Sequence, residues 1–578
     1  MCWNLRVTSE TRHDKARIRL AGAGMGAIGA SILLTITISL LGPSPMVPAL
    51  GGPSWQPPYS LDVDPAPHLT IALAAVALAL GGLGLLAALF ALRTAPTADA
   101  RVPVPVGSGS AEKRAQAAPG QEARAMARWR AGGLGGLPNA RLLVLMGSLA
   151  AGILAFLPPS GSADHLNYAA YGRMVALGLS PYTHGATDLP GDPVADAVEE
   201  PWREEPSVYG PVATALQAAA SWVGGDSLRL TIFVLALFNA AAFIATGLLI
   251  DRFTRDDPDR RLRAALLWTA NPLLLYHLVA GMHVDTLAIA CMVAALLARS
   301  RPVGSGALLG LGVAIKLNAG LVALGPAWEL RRRPVRLALM AACALALVAI
   351  GYAIVGAEAI TPVTRTSKSI SHASYWKLVQ GWLQSIVGTG SAYRGEIQVG
   401  SLLVLALVAW FLLRWASRTG WASALQGMPG SGGAAGGGRP GGDGGPHSGH
   451  GVGGPHSGHG AGGLEAPVVA AGLVVAYLFA TPYILPWYDG LAFGMLALVA
   501  ASAVDGFMVV HLLALSLAYL PARVEGQPAD LEWLRTVVRP QIGWVLLALT
   551  VALAVWAWRA AGRAHRRPAS AGPPLLAP

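Results

Sequence analysis

The chain predicts an all-α fold, that of a polytopic integral membrane protein with about 11–14 transmembrane helices of roughly 20 residues each. Three observations carry that prediction. Hydrophobic residues make up 54% of the 578 positions and charged residues 13%, about half the roughly 25% of an average soluble domain. Apolar runs long enough to cross hydrocarbon recur along the chain, and none alternates with the period of two that a membrane barrel requires. Arg and Lys gather at the ends of those runs, the bias that marks cytoplasmic loops. The net charge of +11 is thus spread over helix ends rather than along one basic face, so the expected partner is the lipid bilayer and not nucleic acid.

Residues 20–41 form the first expected span. The run is longer than a signal-peptide core and follows the polar stretch 8–19, so it reads as an uncleaved helix. Further spans are expected at 69–92, 141–157, 228–250, 285–298, 335–355, 399–413, 468–480, 491–504, 508–520 and 542–558. Basic clusters at 12–19, 93–141, Arg299 with Arg301, 331–336, Arg414 with Arg418 and 559–567 assign those ends to the cytoplasm. The loops after Leu41, Leu157 and Gly356, and those around 483–489 and 521–541, then face outward. Segments 209–223 and 266–279 are apolar but short. Either the first stays outside while the second crosses, or the first crosses while the second stays in the outer leaflet; both arrangements put Asp285 on the side of Asp164. Residues 303–330 start and end at cytoplasmic charge but are interrupted by Lys316-Leu317-Asn318. A hairpin of two short helices with Lys316 at its tip fits that charge pattern, whereas one tilted helix with a snorkelling lysine would invert everything downstream.

These spans divide the chain into an N-terminal two-helix membrane segment (1–93), a flexible cytoplasmic linker (94–140) and a transmembrane catalytic module (141–420) with outer loops 159–207 and 357–398. A Gly/His-rich cytoplasmic linker (421–465), C-terminal transmembrane helices (466–560) and a cytoplasmic tail (561–578) follow. The second linker carries Gly-Pro-His-Ser-Gly-His twice, at 445–450 and 454–459. So flexible a segment offers its histidines no fixed metal geometry. Cys2, Cys291 and Cys343 have no paired spacing, so neither a disulfide nor a cysteine metal site is expected.

Chemistry-bearing residues concentrate in the loop 160–207. Asp164 and His165 stand where a helix leaves the bilayer, a depth at which ionisable groups are costly and tend to be functional. Asp164 reads either as a polar helix terminus or as a catalytic base. Its company favours the base: His165, Tyr168, Tyr171 and Arg173 follow closely, and at helical spacing Asp164, Tyr168 and Tyr171 share a face. Asp285, in Ala280-Gly281-Met282-His283-Val284-Asp285, reads either as a helix cap or as a second carboxylate that orients an acceptor hydroxyl or a metal. His283 and His277 stand beside it as supporting candidates or structural histidines. Lys316 and Asn318 offer a cation and an amide in a dry cavity, suited to a phosphate diester presented by a lipid. The loop 357–399 adds Arg365, Lys368, His372, Trp376, Lys377 and Arg394, whose charge either serves that phosphate or attracts anionic lipid. The aromatic turn 482–489 contains Tyr483, Trp487 and Tyr488, which serve either as interfacial anchors or as platforms for sugar faces.

Several motifs follow one another along the chain: Asp164-His-Leu-Asn-Tyr168-Ala-Ala-Tyr171-Gly-Arg173, Gly178-Leu-Ser-Pro181-Tyr182, Tyr209-Gly210-Pro211, Asn271-Pro272, Gly281-Met-His283-Val-Asp285, Ala314-Ile-Lys316 and Pro486-Trp487-Tyr488. As an ordered set over about 142–489 they resemble the C-fold membrane glycosyltransferases that use polyprenyl-phosphate sugars. The closest likeness is to the actinobacterial polyprenol-phosphomannose-dependent α-1,6-mannosyltransferases of lipomannan and lipoarabinomannan assembly. That resemblance implies a C-fold enzyme of the plasma membrane, with an extracytoplasmic site, a polyprenyl phosphomannose donor and a mannan or glycolipid acceptor. Asp164 is then the catalytic base, joined by Asp285, and the 6-hydroxyl of an acceptor mannose attacks the anomeric carbon with inversion. Lys316, Arg173 and Arg365 meet the donor phosphate, while His165, Tyr168, Tyr171, Tyr209, His283, Asn318 and Trp487 contact substrate. The family often pairs acidic residues in this loop, whereas His165 follows Asp164 here; no cofactor is required by the pattern, and a divalent metal stays open. Two other readings are a transferase for another polyprenyl-phosphate sugar and a flippase or transporter of such lipids, although the chain lacks the internal repeats of a transporter.

Overall fold

The computed structural model describes residues 2–94, 137–366, 368–421 and 464–566. Most of the expected linkers at 94–140 and 421–465, including the histidine repeats, and most of the tail fall outside the described residues. Ala, Leu and Val dominate the spans, and in hydrocarbon a helix satisfies its own backbone groups. Among the described residues there is accordingly no strand, only an isolated bridge between Ser44 and Val47.

The helices, in chain order, are α1 (Cys2–Leu41), α2 (Pro67–Arg93), α3 (Ala140–Ala155), α4 (Asp164–Ala176), α5 (Pro211–Gly224) and α6 (Leu228–Thr254). Next come α7 (Pro258–Leu267), α8 (Asp285–Leu297), α9 (Pro302–Ile315), α10 (Leu324–Leu330), α11 (Pro334–Val355) and α12 (Ile360–Thr366). The last are α13 (Tyr375–Ile386), α14 (Arg394–Thr419), α15 (Ala466–Ala480), α16 (Asp489–Leu496), α17 (Ala503–Tyr519) and α18 (Arg539–Arg566). Six of them, α1, α2, α6, α11, α14 and α18, are long and apolar enough to cross a membrane, and α3, α8, α9, α15 and α17 are shorter apolar helices. The chain is therefore the all-α polytopic membrane protein that its composition predicts.

One expected span is corrected. Residues 491–504 are not a single helix, because α16 stops at Leu496 and α17 begins behind a capping box of Ser502 and Asp505. The Arg263 guanidinium fills the break: it donates to the Leu496 carbonyl at 3.1 Å and the Val499 carbonyl at 2.7 Å, and pairs with Asp505 at 2.5 Å.

The region 303–330 is the expected hairpin. α9 ends at Ile315, Lys316 turns the chain, and a 3-10 segment (Leu317–Ala323) leads into α10. Its two feet meet, since Arg299 pairs with Glu329 at 3.1 Å, and the other Glu329 oxygen accepts from the Ala466 amide that opens α15. The ambiguous segments also find places. Ser227 and Arg229, at the start of α6, bond to Gln56 and to the Pro58 carbonyl in the loop after α1, whereas Asp251 near its far end pairs with Arg261. α7 and the short helical pieces Pro272–Leu274 and Leu275–Ala280 then run back, largely buried, to Asp285. Asn271 bridges the break between them by accepting from the Leu273 and Leu274 amides. This path fits the arrangement in which 209–223, here α5, stays at the Asp164 side.

Candidate active site

The site is assembled where four chain segments meet: the start of α4, the start of α8, the tip of the α9–α10 hairpin and the turn between α15 and α16. The Ser160 amide donates to the Ala280 carbonyl at 2.8 Å, and Gly161 lies with φ of +79° against the ring of Tyr276. A side chain at 161 would collide with that ring, so glycine both permits the turn and lets the loop lie on the segment ahead of Asp285. Asp164 follows in the first turn of α4, with its amide bonded to Ser162 Oγ at 3.1 Å.

Asp285 is buried, and Lys316 Nζ bonds both of its oxygens, at 2.7 and 2.6 Å. The same ammonium sits 4.2 Å from the centroid of the Tyr488 ring. Its position depends on Gly210: the Gly210 amide donates to the Ile315 carbonyl at 3.0 Å, and a Cβ at 210 would stand 2.2 Å from the Ala314 carbonyl oxygen. The Tyr209-Gly210-Pro211 motif thus lays loop 160–207 directly on the hairpin tip.

His283 stacks on Trp487 with centroids 3.6 Å apart. Its Nδ1 lies 2.6 Å from the His277 carbonyl, which can only accept, so Nδ1 carries the proton and Nε2 presents a lone pair. That lone pair faces Asp164 Oδ2 at 3.6 Å. Two acceptors so placed repel while Asp164 is ionised and attract once it holds a proton. Burial pushes the Asp164 carboxyl up to about 6, with Lys316 pulling it down and Asp285 adding to the rise. The arrangement suits a carboxylate that collects a proton and keeps it.

The other candidate residues fall into two groups. Tyr168 and Tyr209 join their hydroxyls at 3.3 Å beside Asp164, with rings packed edge to face at 5.0 Å. Tyr171 donates to the Glu205 carbonyl at 2.9 Å, Arg365 pairs with the Glu205 carboxylate, and Asn318 bonds the Tyr477 side chain. Arg173 lies apart, nine residues along α4 from Asp164 or about 13 Å, held by Asp192 at 2.7 Å and Asp226 at 2.5 Å. His165 is fully buried with neither ring nitrogen bonded, and burial drives its imidazole down to about 3, so it is neutral. Among the described residues no three His, Cys, Asp or Glu side chains converge as a metal-binding group.

Two cavities flank this cluster and share Tyr483. One, of about 350 Å³, is lined by Lys316, Asn318, Gln398, Ser401 and Tyr488 together with Leu317, Leu402 and Leu405. The second, of about 810 Å³, is lined by Trp202, His372, Tyr519 and the arginines Arg523, Arg535 and Arg539. Arg523 closes its wall by pairing with Glu199 and donating to the Ser44 carbonyl at 2.6 Å. Sequence reasoning passes over Tyr477, Tyr519, Arg523 and Arg539. The signal for the arginines is their presence in a loop expected outside, against the charge bias that fixes sidedness elsewhere.

Residues 70–332 match the family described as alpha-(1->6)-mannopyranosyltransferase, N-terminal domain. Alpha-(1->6)-mannopyranosyltransferase A of Corynebacterium glutamicum is 29% identical over 170 residues, 29% of this chain and 34% of the relative. The B enzyme of the same organism is 28% identical over 172 residues, 29% of this chain and 26% of the relative. A probable alpha-(1->6)-mannopyranosyltransferase of Mycolicibacterium smegmatis is 33% identical over 146 residues, 24% of this chain and 26% of the relative. The chain thus spans about a quarter to a third of the length of the curated relatives it matches. No solved structure matches it.

Proposed function

From the likeness of residues 70–332 to the alpha-(1->6)-mannopyranosyltransferases, we propose that this membrane protein transfers mannose from polyprenyl phosphomannose to a mannan or lipomannan-type acceptor, forming α-1,6 linkages with inversion. The observation that carries the reading is Asp164, a carboxylate with a raised affinity for protons that feels the Asp285–Lys316 pair, whose lysine lines the smaller cavity.

Asp164 takes the proton of the acceptor 6-hydroxyl, and that oxygen attacks the anomeric carbon of the donor. The bond from that carbon to the phosphate oxygen breaks, and polyprenyl phosphate leaves with the electron pair. The proton stays on Asp164, where the Nε2 lone pair of His283 accepts from it. Lys316 is the nearest cation to meet the leaving phosphate, with Asp285 fixing its ammonium. The smaller cavity, lined by both leucines and polar groups, suits a lipid-linked sugar phosphate. The larger one, with Trp202, Tyr483 and Tyr519, suits an acceptor glycan that stacks on aromatic faces. Basic clusters at the opposite helix ends support a site facing away from the cytoplasm of a plasma-membrane protein.

The test is transfer of radiolabelled mannose from polyprenyl phosphomannose to a short α-mannoside in membranes. Asp164→Asn is expected to cut the rate by about 10²–10⁴-fold at matched expression, the usual contribution of a general base. A variant that transfers at the wild-type rate removes Asp164 from the mechanism. Wild-type membranes that transfer no mannose, but do transfer another polyprenyl-linked sugar, shift the donor assignment.

A further inference from the structure

At the end opposite Lys316, the last turns of α14 and α18 enclose a cavity of about 300 Å³ lined by Arg414, Arg418, Trp558, Arg559, Gly562 and Arg563. The arginines form two pairs spaced four residues apart, one on each helix, so all four guanidinium groups face one space. Arg418 Nη1 crosses to the Ala561 carbonyl at 3.4 Å, and Arg414 lies over Trp410 at 5.2 Å from its centroid. Among the described residues no carboxylate pairs with any of the four. The segments that follow these two helices offer little: residues 564–578 contain no Asp or Glu, and residues 422–463 contain only Asp443.

A helix C-terminus favours a nearby cation, which accounts for basic residues on each helix separately. It does not account for four of them lining one space, where an anion among them would relieve their mutual repulsion. We infer that this cavity binds the headgroup of an anionic phospholipid, taken from the leaflet at the basic end of the molecule. Guanidinium forks match phosphate oxygens two at a time, and basic pockets between helices on the cytoplasmic side are a known setting for such headgroups. Trp410 and Trp558 select the lipid over a free ion: they are 53% and 55% exposed beside the arginines, as aromatic side chains are at headgroup depth. The headgroup also has leverage on the site. α14 carries Gln398, Ser401 and Leu402 into the cavity under Lys316, and α18 opens with Arg539 in the other cavity. A lipid gripped between their far ends fixes the two helices relative to each other.

The experiment is thermal unfolding in nanodiscs of phosphatidylcholine with and without phosphatidylglycerol. Phosphatidylglycerol is expected to raise the melting temperature of the wild type and of a control, R331Q/R332Q/R333Q/R336Q, in which a different basic cluster is neutralised. It is expected to leave R414Q/R418Q/R559Q/R563Q unshifted. Native mass spectrometry of the same proteins should find phosphatidylglycerol retained by the first two and lost from the third. If the fourfold variant does not fold, R414Q/R418Q carries the same comparison. An equal shift in R414Q/R418Q/R559Q/R563Q and the wild type overturns the site. An equal shift from inorganic phosphate in phosphatidylcholine discs overturns the lipid as its ligand.

Discussion

Asp164 responds to two neighbours of opposite sign. Burial raises its carboxyl to about 6, Lys316 opposes that rise and Asp285 adds to it. A base must be unprotonated, so transfer is expected to fall as pH drops through about 6, by about tenfold per unit below it. Lys316→Met removes the opposing charge and should move this acid limb to higher pH. Asp285→Asn removes the repulsion and should move it to lower pH. Profiles of kcat/KM against pH check both signs, and a limb that ignores both substitutions belongs to another group. Loss of Lys316 also leaves Asp285 buried without its partner, a cost of about 3–5 kcal/mol, so rates need matched amounts of folded protein. Asp164, Asp285 and Lys316 are legible in the sequence because the two carboxylates sit at the ends of apolar stretches and the lysine interrupts one. The bond between the last two is not, since it depends on how high the hairpin tip reaches. Arg173 shows the converse. The family resemblance makes it a phosphate ligand, but only the fold reveals that Asp192 and Asp226 are its neighbours.

At the scale of elements, contact between loop 160–207 and the hairpin sets the height of Lys316. Gly210 allows that contact, and the Cβ of an alanine there would stand 2.2 Å from the Ala314 carbonyl, far inside contact distance. Backbone cannot yield as a flexible side chain does, so Gly210→Ala should push the tip away and draw Lys316 from Asp285. Displacements of about 1 Å can cost on the order of 10²-fold in rate. The expected outcome is a fall in kcat of that size with the protein still folded in detergent, measured by transfer assay and thermal melt together. An unchanged kcat means the hairpin is not positioned by this loop. The hairpin is readable from sequence because Arg299 and 331–336 put charge at both of its feet. The break between α16 and α17 is not, because the residue that fills it, Arg263, lies 242 positions from Asp505. Local apolarity continues through the break, so hydropathy alone runs 491–504 together.

At the scale of the whole molecule, the site cannot be divided where the sequence likeness ends. The match covers 70–332 and includes Asp164, Asp285 and Lys316, yet their surroundings come from the chain beyond 464. Trp487 stacks on His283, Tyr488 underlies Lys316, and Tyr483 borders both cavities. Arg523 binds Glu199 and Ser44, joining three loops that are 324 and 479 positions apart in the chain. Without these groups, Lys316 and His283 would keep their own backbone positions but lose the aromatic faces that hold their side chains. A chain ending at Trp421 is therefore expected to insert in membranes and to transfer no mannose. Co-expression of residues 464–578 as a separate polypeptide should restore transfer, because α15 packs on α10 and α14 through contacts that do not need the intervening segment. Restoration that disappears when the second fragment carries Trp487→Ala and Tyr488→Ala would assign the rescue to those two rings. Full activity of the first fragment alone would mean that the matched region holds a complete site and that the C-terminal helices serve another purpose.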